Sequence, residues 1–134
     1  MRPAMIFPDV ENWAVGEPSG YLRTALAART EPYATGAYVS NKDAPDKARR
    51  VVFRSDGGPR ANEVMQTVRF GCRVFAATEG DATDLALLVA ALLEAGRGNG
   101  PVNRVTTNSP IPVDDPKGPM RYVTGEITVR GTAL

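Results

Sequence analysis

The sequence predicts an α+β domain, a mainly antiparallel sheet of four to five strands with two helices packed on one face. Three observations lead there. Residues 64–76 and 120–131 alternate apolar and polar side chains at the period of a strand. Residues 81–96 instead repeat their apolar side chains at helical spacing. The order of elements (helix, strand, strand, strand, helix, strand, strand) also lacks the strict alternation of a parallel sheet. The 134 residues fit one domain, 1–134, and a chain of this size hides roughly two-thirds of its unfolded surface.

In order along the chain, Pro8 and Asp9 open a helix, with Asp9 as N-cap and Val10, Trp13 and Ala14 on one stripe. GEPSG, 16–20, interrupts it, because Pro18 lacks an amide hydrogen and its ring crowds the preceding turn. Tyr21, Leu22, Ala25 and Leu26 resume helical spacing until about Arg29, so two helical pieces or one broken helix are expected. YATGAYVS, 33–40, and RVVFRS, 50–55, read as strands that pair as a hairpin across a long polar loop.

In the stretch 64–76, Val64, Gln66, Val68, Phe70, Cys72, Val74 and Ala76 share one face, and Met65, Thr67, Arg69, Gly71, Arg73 and Phe75 the other. Strands usually run about 5 to 6 residues, so this one is expected to carry a bulge, at Gly71, or to project toward a neighbour. Asp81 and Asp84 suggest a helix cap, Leu85, Leu88, Val89, Leu92 and Leu93 a core stripe, and Gly96 a C-terminal glycine cap. VNRVTT is a short strand, and the four prolines of NSPIPVDDPKGP exclude helix and central strand. In the closing strand Val123, Ile127 and Val129 face one way, and Tyr122, Thr124, Glu126, Thr128 and Arg130 the other.

Composition removes several function classes. The balance of 43% hydrophobic and 23% charged residues is that of an ordinary globular chain. Sixteen basic against fifteen acidic residues leave +1, too little for a global field that would hold a polyanion or an anionic membrane. With no histidine, histidine-based triads and histidine metal ligands are excluded, and a single cysteine, Cys72, allows neither an internal disulfide nor a thiolate cage. No cofactor is expected. The apolar run before Pro8 is too short for a signal peptide, so no export is expected, and LALLVAALLEAG falls short of the ~20 residues of a membrane span.

VVFRSDGGPR, 51–60, has the look of a nucleotide site, an apolar strand entering a glycine turn between basic residues. It lacks the G-x-x-x-x-G-K-[ST] pattern, and Pro59 stands where an amide donor would help. Asp56, Gly57 and Gly58 are better explained as a turn that uses the positive φ of glycine. Asp114 and Asp115, between Pro112 and Pro116, point apart in an extended loop and make a poor acid/base couple. Cys72 lies on an apolar strand face with no histidine to activate it, and is expected to be buried and inert.

The arginines carry more. Alternation places Arg50 and Arg54 on one face with Val52, Arg69 and Arg73 on one face with Phe75, and Arg130 beside them from the last strand. Two readings of that face stand side by side: a solvated surface balanced by Glu126, or a contact surface on which guanidinium forks pair with a neighbour's carboxylates. A nucleic-acid surface is weaker, since no aromatic ladder accompanies the arginines.

Taken together, PDVENWAVGEPSGYLRTALAAR, RRVVFRSDGGPR, VRFGCRVFAAT, GDATDLALLVAALLEAG and PMRYVTGEITVRGTAL resemble tail terminator proteins of long-tailed phages of actinobacteria, similar to the lambda-type terminator. The resemblance covers nearly the whole chain. GEPSG departs from the continuous first helix of that family. The resemblance implies a virion structural protein without catalysis, assembled in the host cytoplasm. As a homo-hexameric ring it would cap the tail tube, stop its growth and join the head. Its partners would be its own copies, the tube protein and a neck or connector protein, with DNA only passing through the ring and no membrane. Arg50, Arg54, Asp56, Gly57, Gly58, Arg60, Arg69, Arg73, Phe75 and Arg130 are the expected subunit or partner interface. A neck or stopper protein is the nearest alternative, and a nucleic-acid-binding module a more distant one.

Overall fold

The computed structural model describes residues 4–58 and 64–134. Among them the elements are β1 (Met5–Ile6), α1 (Val10–Val15), α2 (Tyr21–Ala27), β2 (Tyr38–Ser40), β3 (Arg50–Gly57), β4 (Met65–Phe75), α3 (Glu79–Ala95), β5 (Val102–Thr107), β6 (Ile111–Val113), β7 (Met120–Arg130) and β8 (Thr132–Ala133). The fold is α+β and mainly antiparallel. The described residues form three helices and two sheets, of six and two strands, rather than two helices on four to five strands. The main sheet runs β2-β3-β4-β7-β5, with β6 pairing β7 beyond the end of β5, and β1 with β8 forms the small sheet.

The frame is the ladder between β4 and β7, antiparallel and in register from Met65↔Arg130 to Phe75↔Met120. Both strands alternate without interruption, so one sheet face is apolar over its middle, with Gln66 at one end and Arg121 at the other. Val68, Phe70, Cys72 and Val74 on β4 and Val123, Ile127 and Val129 on β7 form the floor of the core. All three helices cover it. Val10, Ala14, Leu22 and Leu26 come from α1 and α2, and Ala82, Leu85, Ala86, Val89 and Leu93 from α3. The stripe on α3 is thus rotated from the expected one: small residues bring the helix close to the sheet, and Leu88 and Leu92 are only partly buried at its flank.

Several local expectations are corrected. Residues 32–36 form turns, with Gly36 at φ 69°, so the strand at 33–40 shrinks to three residues. β2 pairs β3 in parallel, Tyr38↔Arg50 to Ser40↔Val52, and not as a hairpin, because the loop 41–49 crosses the sheet before β3 starts. The bulge lies in β3, where Ser55↔Phe70 is followed by Gly57↔Arg69 and Asp56 is the extra residue. Gly71 is regular strand. A Cβ there would come within 2.0 Å of the Tyr122 hydroxyl, so the glycine is a seat for the Tyr122 ring. The proline-rich connection contains an edge strand, β6, compatible with Pro112 only because that edge faces no further strand.

The caps of the helices are local. Asp9 accepts from the Asn12 amide at 3.2 Å, as expected. α3 starts earlier than expected, with Thr78 accepting from the Asp81 amide at 3.1 Å. Gly96 does end α3, but in right-handed conformation. Its lack of a side chain serves packing: a Cβ would lie 2.8 Å from the Trp13 ring and 2.9 Å from the Tyr21 ring. Those two rings stack at 5.0 Å and 7°, joined to the rest by Tyr21 Oη donating to the Leu92 carbonyl and Trp13 Nε1 donating to Asn99. The GEPSG break allows this, since α1 and α2 turn on one another and bring Trp13 and Tyr21 face to face.

Candidate interaction surface

The helices leave the second sheet face uncovered, and strand alternation sorts the arginines onto it. Arg50, Val52 and Arg54 from β3, Arg69, Arg73 and Phe75 from β4, and Arg130 from β7 share that face, as the spacing predicts. Arg104 on β5 joins them opposite Thr128. Its strand was legible in the sequence but too short to fix which face each residue takes, and the irregular register between Val102 and Arg104 sets it.

Two expected interface residues are not on the surface. The loop 41–49 folds across the end of this face, so Arg50 and Phe75 are each 1% exposed. The guanidinium of Arg50 lies 3.7 Å over the Phe75 ring, its Nε donates to Asp43 at 2.6 Å and its Nη1 to the Lys47 carbonyl at 2.8 Å. Asp43 also takes the Lys117 ammonium at 2.9 Å, which ties the loop after β6 to the same roof. Burial pushes the Asp43 carboxyl up, but hydrogen bonds and charge from Lys117 and Arg50 outweigh it and hold the group below its usual range. Arg50 is a buried anchor because the Asp43 carboxylate, the Lys47 carbonyl and the face of the Phe75 ring all attract the same cation.

The rest of the face is open. Arg54 is well exposed, 3.7 Å from Glu11 at the sheet edge. Glu11 has a further duty there. β2 ends at Ser40, leaving the outer edge of β3 unpaired from Phe53 onward. One Glu11 oxygen accepts from the Ser55 amide at 2.8 Å and the other from Asn41 at 3.2 Å, so a side chain replaces the missing strand. Asp56 and Gly57 are exposed at the bulge, with Gly57 at φ 71°. Gly58 approaches the Thr67 carbonyl so closely that a Cβ would lie 2.0 Å away. Arg60 lies outside the described residues. Gly57 and Gly58 therefore serve a bulge and a close strand approach: the expected turn at Asp56 to Gly58 is still strand β3 as far as Gly57, although Gly57 does use a positive φ.

Toward the other end, Arg69 stands opposite Glu126, and Arg73 lies between Val52 and Tyr122. Among the described residues the side chains of Arg69, Arg73 and Arg104 make no ion pair or hydrogen bond, whereas Arg130 reaches the Gly100 carbonyl at 3.3 Å. Between them lies a depression of about 250 Å³ lined by Asp56, Arg69, Thr106, Asn108, Tyr122 and Glu126. A second, of about 220 Å³, is lined by Thr67, Arg104, Thr106, Glu126 and Thr128. Both are shallow, polar and floored by strands, a geometry suited to side chains of another macromolecule.

Elsewhere the chemistry is sparse. A larger hollow of about 470 Å³ lies between α2 and the turn 34–37, with Arg23 and Arg29 at its rim and no carboxylate in its lining. Cys72 is fully buried, and burial pushes its thiol up to about 12, slightly opposed by the charge of Arg73. Among the described residues no three His, Cys, Asp or Glu side chains are placed to hold a metal, and no helix is long and apolar enough to cross a membrane.

No protein-family model matches the chain, and no curated protein is significantly similar to it.

Proposed function

We propose that this chain is a structural subunit of a long-tailed phage. It is read as a tail terminator that forms a ring on the head-proximal end of the tail tube, ends tube polymerisation and offers a joint to the neck. The observation that carries the reading on the molecule itself is the open sheet face, where Arg69 and Arg73 on the central strand β4 and Arg104 on the edge strand β5 have no ion-pair or hydrogen-bond partner among the described residues. Guanidinium groups held on a stiff sheet, with threonines between them and helices behind, suit a repeated protein contact. Glu126 and Asp56 among them disfavour a polyanion, so the DNA that crosses such a ring is cargo in passage. The resemblance of five segments to phage tail terminators supplies the assembly and the partners, namely its own copies, the tube protein and a neck protein. Catalysis has no part in this reading.

Electron microscopy of lysates from a phage with this gene interrupted tests it. Overlong tails beside unjoined, filled heads are expected. Tails of normal length lying free would assign the protein to the neck as a stopper, and normal infectious particles would overturn the structural reading.

A further inference from the structure

The β4–β7 ladder has chemically different ends. At the Met120 end the loop 114–119 carries Asp114 and Asp115, and with Glu79 from the start of α3 they line one hollow. Asp114 has no partner among the described residues, and the strand before it exposes two apolar side chains, Ile111 at 52% and Val113 at 38%. At the Arg130 end the open face presents Arg69 and Arg104 around the depressions floored by β7, with Glu126 in both depressions and Asp56 in one. Arg73 and Arg130 on the same face leave a local excess of cations that a single carboxylate can meet but a polyanion would strain. One end thus offers an exposed carboxylate on an apolar-edged loop, and the other offers, among the described residues, guanidiniums without a hydrogen-bond or ion-pair partner in shallow hollows.

From this complementarity we infer that the loop of one copy, Val113 to Asp115, seats on the Arg69–Arg104 face of a second copy of this chain. The inference rests on the ring reading above and names its contact. Two different patches meet, so the contact is heterologous, and repeated copies either close into a ring or extend as a filament. Asp114 lies between the two guanidinium forks, where charge-assisted bonds fix orientation. Ile111 and Val113 bury against the threonine floor and supply the area that ion pairs on a wet surface lack. Asp115 shapes the loop, its side chain accepting from the Lys117 amide at 2.8 Å.

The test uses the full-length chain in native mass spectrometry and sedimentation at low and high salt. Wild-type protein assembles, and salt weakens the assembly. D114K and R69E/R104E each move the assembly midpoint at least about tenfold higher in concentration, with melting temperatures as fold controls. Asp114 sits in an exposed loop, so loss of assembly in D114K reports the contact even if the reversed face costs stability. Mixing the two variants restores assembly, since each then meets an opposite charge at every contact. The inference falls if R69E/R104E assembles like the wild type, if mixing restores nothing, or if the wild type stays monomeric while its face retains a short DNA duplex in a steeply salt-dependent way. Assembly as expected beside normal tails from the interrupted phage would keep the contact and remove the terminator role. Overlong tails with an assembling R69E/R104E protein would do the reverse.

Discussion

The Arg50 guanidinium covers the Phe75 ring on the sheet face that the helices leave bare, and both side chains are nevertheless sealed from solvent by the loop 41–49. A cation buried in this way is bound to its carboxylate and its ring together. Replacement by alanine leaves Asp43 with Lys117 alone and opens space over Phe75, and is expected to cost about 3 kcal/mol in urea unfolding. R50K keeps the charge but loses the planar fork, and falls between alanine and wild type. Equal stability of R50A and wild type would show that the loop is not anchored there.

The same pair gives a pH dependence. Asp43 titrates below its ordinary value in the folded state. The unfolded chain then binds more protons between the two values, so stability rises with pH there. The contribution is complete above the unfolded carboxyl value of about 3.9 and is lost as pH falls through the lower folded value. Unfolding measured from pH 6 to pH 2 is expected to show a shallower acid loss in D43N than in wild type, and parallel curves would rule the contribution out.

Glu11 caps the outer edge of β3 in place of a strand. E11A removes a charged acceptor from the Ser55 amide and is expected to cost about 1.5 kcal/mol. It also bares a strand edge, so light scattering of the variant should rise with concentration faster than that of the wild type. E11Q, which still accepts from Ser55, should recover most of the stability.

Two glycines of α3 and its cap should respond with opposite signs. G96A drives a Cβ into the stacked rings of Trp13 and Tyr21 and is expected to destabilise by roughly 1 to 3 kcal/mol, with a shift of Trp13 fluorescence. Gly80 has open space around it within the helix, so G80A should stabilise by about 0.5 to 1 kcal/mol. A stabilising G96A would mean that the rings yield freely.

The Cys72 thiol, pushed up to about 12 by burial, is expected to resist a thiol reagent at pH 8 until the chain unfolds. Prompt reaction of the folded protein would place the thiol at the surface.

Much of this architecture is legible in the amino-acid sequence. The faces of β4 and β7 followed from period-two alternation, and the arginines were placed on their common face by the same rule. The pairing of β2 with β3 was not readable. Three residues carry too little pattern to state direction, and a polar loop of nine is long enough for a hairpin or a crossover. Gly96 ends its helix as expected and Gly71 makes no bulge, yet the reason for a glycine at each is an aromatic ring arriving from elsewhere in the chain, which no local pattern records.

The sequence by itself determined which residues could be inside: a periodic strand or helix has one apolar face wherever it is packed. It determined, too, that histidine chemistry and thiolate cages are out of reach. Tertiary structure decided which members of the uncovered face stay uncovered. Arg50 and Arg54 are equivalent in the strand pattern, yet the first is roofed by the loop 41–49 and the second faces solvent. The difference comes from contacts between segments distant along the chain, from Asp43 and Lys117 on one side and Glu11 on the other. Alternation along a strand carries no record of what will cross above it.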